Sequence, residues 1–428
     1  HLGRVLRLGH AASILAFLAA LLTVSGLATG SWEAKYAARE FSLPERLLTE
    51  GRVILFYLGQ TLLPRVPEMG LYHDDFRASS GPFDPPSTVF AWLAIIAAVG
   101  AAVRWRRRFP LAAFGVLWYF AGHVLESTVV PLELVHEHRN YLPSAGLIIA
   151  GTGLAAAALT SARPRVTVVA GLAPLLVLAA ATTSRAQTWS DPVTLALVEA
   201  EQSPDSPRSV YRVAYAYHGL YLMNGDKKAL EQAIAWLEKA AAKDPTSVTP
   251  LFELARILSI EGEAPPARYI DELRERLREH RLQPAEIDYF RRLIPCLREG
   301  VCRHDPNDVL GLFSAALANE HLGRRFRARV LFSLANFYVG IAGDTEAAVR
   351  VMSEVVELDP GDENNHLNYA KVLAMAGYRD KARQIADEIE GRIGQRTFMT
   401  PRGVTADDLA ALREGIESGF DLPTPERG

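Results

Sequence analysis

The sequence lacks the short motifs by which many enzymes are recognised. It has no glycine-rich loop that would cradle a phosphate and no nucleophile elbow in an interpretable context. It also lacks an excess of basic residues, since 46 Lys or Arg stand against 49 Asp or Glu, and residues 191–428 hold 30 against 38. A general nucleic-acid binder needs a basic face that neutralises phosphates. The acidic second half argues against that class, and we expect no nucleic-acid partner.

Cysteine is scarce as well, with two residues in the chain. Cys296 and Cys302 lie on either side of a short segment that a disulfide could close into a loop. Such a disulfide favours an extracytoplasmic compartment, for example a bacterial periplasm or an organelle lumen. The alternative is a pair of unrelated buried thiols.

Long apolar segments are present, but they are confined to the first half of the chain. That half is also basic, because residues 1–190 carry 16 Lys or Arg against 11 Asp or Glu. Charge and apolar content change at the same place, which predicts two separately folded parts. We assign residues 1–187 to a transmembrane helical domain and residues 188–428 to an extracytoplasmic domain.

About five segments have the length and apolarity of membrane spans, the second of them short: His10–Thr29, Thr88–Val103, Leu111–Leu132, Ser144–Leu159 and Val166–Thr183. Under the positive-inside rule, the arginine clusters near residues 4–7, 104–108 and 163–165 are cytoplasmic. This alternation requires that the apolar stretch near 51–64 does not cross. We therefore predict a re-entrant or interfacial helix there, with residues 31–87, 136–141 and 184–428 on the outer side.

From Arg208 onward a pattern recurs: a helix, a glycine turn, a second helix with small residues, and Asp-Pro. The clearest unit, Glu363–Gly394, has small and apolar residues where a tetratricopeptide repeat has them, at Ala370, Leu373, Gly377 and Ala382. Looser units end at residues 244–245 and 359–360. The predicted fold is all-α: a polytopic transmembrane helix bundle followed by a soluble tetratricopeptide-like α-solenoid, which is a binding scaffold.

A cluster of polar residues lies between two of the apolar segments: His136, Glu137, His138, Arg139, Asn140 and Tyr141. Ionisable residues at a membrane edge usually have a function. Arg139 could bind a phosphate bidentately, while a histidine hydrogen-bonds that phosphate or moves a proton. The alternative is an interfacial loop in which Arg139 pairs with Glu137 and Tyr141 anchors the membrane interface.

A second polar cluster, His73-Asp74-Asp75, lies in the preceding outer loop. Paired carboxylates can hold a divalent cation near a diphosphate or act as a general base. They are equally compatible with a solvated turn, because this loop is rich in Gly, Pro and Ser. His136 and His138 could also share a metal with Glu137 or His73, but two histidines are weak evidence. We assign no metal ligands, and a divalent cation is the one cofactor that the sequence suggests.

The order of these features resembles one known group of proteins. The chain has an apolar span, then the charged run Glu137–Ser144 ending in Tyr-Leu-Pro-Ser, then another span and then repeats. This order is similar to that of the transmembrane and tetratricopeptide-repeat O-mannosyltransferases and their bacterial relatives. These belong to the GT-C superfamily, which uses lipid-linked sugars. Arg52–Pro86, with its Leu-Leu-Pro at residues 62–64 and the following Tyr72 and Asp75, is similar to the loop region upstream of that run.

The resemblance implies a membrane glycosyltransferase-like protein that uses a polyprenyl-phosphate-linked sugar. It implies that the lipid phosphate binds to His138 and Arg139, oriented by Glu137, and that the repeats bind an acceptor polypeptide. The substrate-binding candidates are His136, His138, Arg139, Asn140 and Tyr141, and the catalytic candidates are Asp74, Asp75 and Glu137. Transfer to a Ser or Thr hydroxyl requires a base for that hydroxyl and neutralisation of the phosphate leaving group.

Two features leave other hypotheses open. GT-C enzymes carry a key acidic residue in the first outer loop of a bundle of many spans, whereas five are visible here. The chain begins with His rather than Met, so one hypothesis is that this acid lies in upstream sequence; the other is a shortened relative without transferase activity. The non-enzymatic alternative is a membrane-anchored tetratricopeptide scaffold for an envelope or secretion complex. The arginine-rich, lysine-poor composition favours a bacterial inner membrane, with the C-terminal domain in the periplasm.

Overall fold

The computed structural model describes residues 36, 39, 41–74, 76–124, 126–160, 163–394 and 403–420. Within these ranges the regular secondary structure is helical and there is no β-strand, which confirms the predicted all-α class. The helices are α1 (Leu43–Leu62), α2 (Ser87–Trp105), α3 (Pro110–His123), α4 (Tyr141–Leu159), α5 (Pro164–Trp189), α6 (Pro192–Gln202), α7 (Pro207–Asn224), α8 (Lys227–Lys243), α9 (Thr249–Ile260), α10 (Ala267–Glu279), α11 (Pro284–Arg298), α12 (Pro306–Leu317), α13 (Arg324–Phe337), α14 (Thr345–Leu358), α15 (Glu363–Met375), α16 (Arg379–Gly394) and α17 (Ala406–Ser418).

The chain divides into two compact units between Leu230 and Glu231. This division follows contacts between residues, whereas the predicted boundary after residue 187 follows composition. The boundary at 187 therefore stays a prediction.

Among the described residues of the first unit, three helices are long and apolar enough to cross a membrane: α2, the continuous segment Glu137–Leu159, and α5. They contain the predicted spans Thr88–Val103, Ser144–Leu159 and Val166–Thr183. Most of their side chains are exposed, and none in α5 is buried. Helices that are apolar on an exposed face are expected to meet lipid or another apolar surface.

The other predicted membrane segments have different outcomes. The span predicted over Leu111–Leu132 is wrong, because α3 ends at His123 and the chain continues as irregular backbone. The short helix predicted near 51–64 is longer than expected, since α1 runs from Leu43 to Leu62. The predicted span His10–Thr29 lies outside the described residues.

Helix α1 starts eight residues before the apolar stretch because of a local capping signal. The Ser42 hydroxyl accepts a hydrogen bond from the Glu45 amide, and the Glu45 carboxylate accepts one from the Ser42 amide at 2.8 Å. This capping box satisfies two amide groups that would otherwise lack partners. The added turns carry Arg46 and Glu50, both fully buried.

Helices α3 and α4 pack through glycine. A Cβ atom placed on Gly115 would lie 2.2 Å from the carbonyl oxygen of Gly146, and one on Gly146 would lie 2.4 Å from that of Gly115. A Cβ atom on Gly122 would lie 2.9 Å from the Pro143 ring, and one on Gly153 would lie 2.8 Å from the Cβ of Leu111. Small residues let two helix backbones approach this closely, which is a common way to join helices in a membrane.

The second unit consists of successive helices around a shared apolar core. Helices α13 to α17 enclose one apolar cluster, which includes Leu331, Ala348, Leu373 and Ala382. The predicted helix–turn–helix over Glu363–Gly394 is present as α15 and α16, joined through Gly377 at a φ of 89°, which favours glycine. Cys296 and Cys302 lie at disulfide-bonding distance, with Cα atoms 5.2 Å apart.

Candidate functional site

The polar motif lies where irregular backbone turns into an exposed apolar helix. Glu137–Asn140 form one turn of 3-10 helix that runs directly into α4. The hydroxyl of Tyr57, a buried residue of α1, donates to the His136 carbonyl at 3.0 Å and accepts from the His136 amide at 2.6 Å. One phenol therefore holds the backbone at the start of the motif.

Arg46 holds the irregular segment that precedes the motif. Its guanidinium donates to the carbonyl oxygens of Glu126 (2.6 Å), Thr128 (3.0 Å) and Leu132 (2.5 Å), and it pairs with Glu50 at 2.7 Å. Buried carbonyl groups need donors, which irregular backbone cannot supply to itself. A single buried side chain thus replaces the hydrogen bonds that a continued helix would have made.

Glu137 joins the motif to the loop formed by residues 64–86, of which residue 75 is not described. Its Oε1 accepts hydrogen bonds from the Gln60 side chain at 2.8 Å and the Gly70 amide at 2.9 Å. The same oxygen lies 3.2 Å from Nε2 of His73. An oxygen with three partners is well suited to position a loop, and the two predicted polar clusters meet here.

Arg139 is held within the protein. Its side chain is 9% exposed, Nη1 donates to the carbonyl of Glu133 at 2.5 Å, and Nε lies 3.5 Å from the Glu126 carboxylate. The interfacial-loop alternative had paired Arg139 with Glu137; in the structure Glu126 is its acidic partner instead. Any anion that bound Arg139 would have to compete with these contacts.

Asp74 is bound by residues that follow the apolar helices. Its carboxylate accepts hydrogen bonds from Ser206 and from Nη2 and Nε of Arg208, the last at 3.0 Å. Arg208 also pairs with Glu133 at 2.7 Å and lies over the ring of Tyr72. The side chain of Arg208 thereby ties loop 64–86 to the segment before the motif. Asp75, the other acidic candidate in this loop, lies outside the described residues.

A second tie connects loop 64–86 to α6. The Leu71 amide donates to Oε2 of the fully buried Glu199 at 2.7 Å, and the Ser203 hydroxyl donates to the Tyr72 carbonyl at 3.0 Å. Oε1 of Glu199 lies 3.5 Å from the guanidinium of Arg185. The loop is therefore an ordered part of the first unit, and the alternative of a freely solvated turn does not describe its backbone.

The remaining motif residues face different surroundings. Asn140 is buried and donates to Thr61 Oγ1 at 2.9 Å, whereas Tyr141 is 86% exposed at the start of α4. His138 is exposed, and its ring centroid lies 4.0 Å from that of His136. Across the described residues no group of three His, Cys, Asp or Glu could hold a metal ion. Of the motif's ionisable side chains, that of His138 is therefore the most open to a ligand.

The electrostatics of this region favour ionised carboxylates and neutral His136. Burial by itself raises the pKa of Asp74 and Glu133, but hydrogen bonds and charge from Arg208 more than offset it, so both pKa values lie below their ordinary range. Burial lowers the pKa of His136, and the nearby His138 and Arg139 lower it further. The pairing with Asp74 raises the pKa of Arg208.

These shifts predict that acid releases loop 64–86. A carboxylate with a lowered folded-state pKa stabilises the fold above its ordinary pKa, 4.5 for Glu133 and 3.8 for Asp74, and loses that contribution as the pH falls through the folded value. His136 also destabilises the fold as the pH falls below its ordinary pKa of 6.5. Its folded-state pKa is lowered, so the unfolded chain binds the proton at a higher pH than the folded chain does. Amide hydrogen exchange in this loop, corrected for intrinsic rates, is expected to become about tenfold faster between roughly pH 6 and pH 3.

Asp74→Asn provides the control, since it should accelerate exchange at neutral pH and reduce the further change in acid. Equal protection of the loop at both pH values in the unaltered chain would contradict the prediction.

Several of these residues were not identified from the sequence. Five residues complete the site without belonging to either motif: Arg46, Tyr57, Gln60, Glu133 and Arg208. Each makes a contact there with a residue at least 75 positions away in the sequence. The one available signal was the spacing of Arg46 and Glu50, because opposite charges four residues apart can pair on one face of a helix.

Comparison of the chain with models of protein families and with curated protein sequences found no match. The function is therefore argued from the site itself.

Proposed function

We propose that this protein is a membrane glycosyltransferase-like protein that binds a polyprenyl-phosphate-linked sugar beside His136 and His138. One observation supports this most. Loop 64–86, the segment before the motif and the start of α7 contact one another at the polar end of α4, whose apolar side chains are largely exposed. Polar groups there lie next to apolar surface, as recognition of a lipid phosphate requires. The chain would be multi-pass in a bacterial inner membrane, with residues 188–428 in the periplasm.

The lipid chain would lie along α3 and α4. Tyr141 and Leu142 are 86% and 61% exposed, and Trp118 donates from its indole to the Leu142 carbonyl at 3.1 Å. Aromatic side chains with one polar and one apolar edge are favoured at the depth of lipid headgroups. A phosphate at this depth would be within the reach of the exposed His138, with Arg139 behind it.

Asp74 or Asp75 is the proposed base for the acceptor hydroxyl. Asp74 is ionised, as a base must be, but Arg208 occupies it. It would therefore accept a proton only if substrate binding opened that pair, which makes Arg208 the group that controls its availability. Glu137, with three partners on one oxygen, is better suited to orient His73 and the loop than to transfer protons. Residues 188–428, proposed as tetratricopeptide-like repeats, would bind the acceptor polypeptide.

The test is binding of a fluorescent polyprenyl-phosphate sugar to the purified protein in detergent, for the unaltered chain and His138→Ala. Loss of a charge-assisted hydrogen bond is expected to weaken binding about tenfold. His321→Ala removes an exposed histidine of the second unit and serves as the matched control. Equal affinity of His138→Ala and the control would remove His138 from the site, and no binding by the unaltered chain would reject the proposal.

A second candidate function, a non-catalytic membrane-anchored scaffold for an envelope or secretion complex, is favoured by a different observation. Glu137 and Arg139 are engaged within the protein, and the side chain of Arg139 is 9% exposed. Buried polar residues of this kind can be kept for folding alone. If no lipid binds but His138→Ala folds normally, the scaffold becomes the preferred function.

A further inference from the structure

Six exposed arginines lie in two groups beside the apolar helices of the first unit. The first group is at the end of α2 and in the turn before α3, and the second is at the start of α5. The six residues are Arg104, Arg106, Arg107, Arg108, Arg163 and Arg165. They belong to neither of the polar clusters described above, so they need an explanation of their own.

Helix packing brings the two groups to the same end of the unit. Helices α3 and α4 are antiparallel, because Gly122 near the end of α3 meets the start of α4, while Gly153 of α4 meets Leu111 at the start of α3. From Gly153 the helix continues to Leu159, which is about 9 Å at 1.5 Å per residue. The end of α4, and with it the start of α5, therefore reaches the level of the turn before α3.

No carboxylate of the described residues pairs with these charges. The sequence has no Asp or Glu over residues 85–125 or 138–190, which include both groups. Arg106 donates to the carbonyl oxygen of Val103 at 2.5 Å, so its one hydrogen bond within the described ranges goes to a neutral group. Six positive charges without an acidic partner attract an anion.

The surface beside the arginines is apolar. Trp105, within the first group, is 54% exposed, and Val103 and Val166 are exposed on the adjoining turns of α2 and α5. Indole rings are favoured at the depth of lipid headgroups. A small soluble anion would match the charges alone, and a nucleic acid would leave the apolar surface in water. A ligand that matches both has an anionic head and an apolar body.

We propose that the two arginine groups together bind the headgroup phosphate of an anionic phospholipid, whose acyl chains lie along α2 and α5. Guanidinium groups suit this role, because two parallel N–H donors can bind two phosphate oxygens. Clustered basic residues beside membrane helices are a recurring site for such headgroups. The 19 residues of α4 extend about 28 Å, so this site lies in the leaflet opposite to His138.

The test is native mass spectrometry of the purified full chain in detergent, with three probes: phosphatidylglycerol, phosphatidylcholine with the same acyl chains, and glycerol 3-phosphate. Phosphatidylglycerol is expected to bind about tenfold more tightly than phosphatidylcholine, and excess glycerol 3-phosphate should not displace it. Equal binding of the two lipids would leave the arginines a role in membrane orientation only. Displacement by glycerol 3-phosphate would show a site for soluble phosphate. Either result overturns the inference.

Two variants test whether both groups hold one headgroup. Arg106→Gln with Arg107→Gln removes two charges from the first group, and Arg163→Gln with Arg165→Gln removes both from the second. Each pair should weaken phosphatidylglycerol binding about fivefold per arginine, the usual effect of one basic residue beside anionic lipid. Because these side chains are exposed, the melting temperature should not change. A loss in only one of the two variants would overturn the shared site.

The matched control is Arg278→Gln with Arg281→Gln, which removes two exposed arginines of the second unit. It should leave the affinity for phosphatidylglycerol unchanged. A loss as large as that of the first-unit variants would reduce the effect to net charge and overturn the inference.

This inference does not depend on the proposed transfer of a sugar, and the two fail separately. His138→Ala should weaken binding of the polyprenyl-phosphate sugar and leave phosphatidylglycerol bound, whereas Arg163→Gln with Arg165→Gln should do the reverse. Selective binding of phosphatidylglycerol by a chain that binds no lipid-linked sugar would reject the proposed function alone. The converse result would reject the arginine site alone.

Discussion

Gly115→Ala is expected to destabilise the first unit by about 3 kcal/mol, the upper part of the usual range for overpacking. The added Cβ would lie 2.2 Å from the Gly146 carbonyl oxygen and 2.6 Å from the Ala150 amide nitrogen. Both obstacles are backbone atoms, so no side chain can rotate away, and α3 and α4 must separate. Thermal unfolding of the purified protein in detergent measures the loss, and Gly115→Leu should prevent accumulation of the folded chain.

Gly151→Ala is the matched control for this prediction. Gly151 lies on α4, and a Cβ placed there would meet nothing within 4 Å. Its replacement should leave the melting temperature unchanged or slightly raised, because alanine favours a helix over glycine. If Gly115→Ala and Gly151→Ala have the same melting temperature, the backbones of α3 and α4 do not approach as closely as described.

Arg46→Met is expected to cost about 3–5 kcal/mol, the range found when one partner of a buried ion pair is removed. The change leaves Glu50 without its partner and the carbonyls of Glu126, Thr128 and Leu132 without donors. Methionine fills similar space, so the loss reflects polar groups rather than a cavity. Chemical denaturation in detergent gives the free energy, and limited proteolysis should show cleavage within residues 126–136.

The double variant Arg46→Met, Glu50→Gln separates the two contributions. Replacing the buried carboxylate should recover part of the stability, whereas the orphaned carbonyls should keep residues 126–136 open to protease. If the double variant is as protease-resistant as the unaltered chain, Arg46 does not hold that segment.

The sequence predicted what depends on near neighbours. Apolar composition indicated the helices α2, α4 and α5, and the pattern over Glu363–Gly394 indicated α15 and α16 with the Gly377 turn between them. The proximity of Cys296 and Cys302 followed from their spacing. The span Leu111–Leu132 was predicted wrongly because composition does not reveal that a buried Arg46, about 80 residues earlier, takes over the backbone carbonyls after His123.

The candidate site shows the same limit. Its motif was visible in the sequence, and so was the Asp74 cluster, yet the link between them depends on Arg208, 134 residues beyond Asp74. An exposed arginine at the start of an ordinary helix carries no distinguishing pattern. Only the folded chain shows that Asp74 and Glu133 share that one guanidinium.

Helix α5 differs from α1, α2, α3, α4 and α7 because none of its side chains is buried. Its 26 residues extend about 39 Å, longer than the roughly 30 Å thickness of a hydrocarbon core. Packing against the described residues therefore places no demand on the order of its apolar side chains, and shuffling them should preserve the fold of that part of the chain. What the described residues require of this helix is its length, its apolar character and Arg185, which faces Glu199.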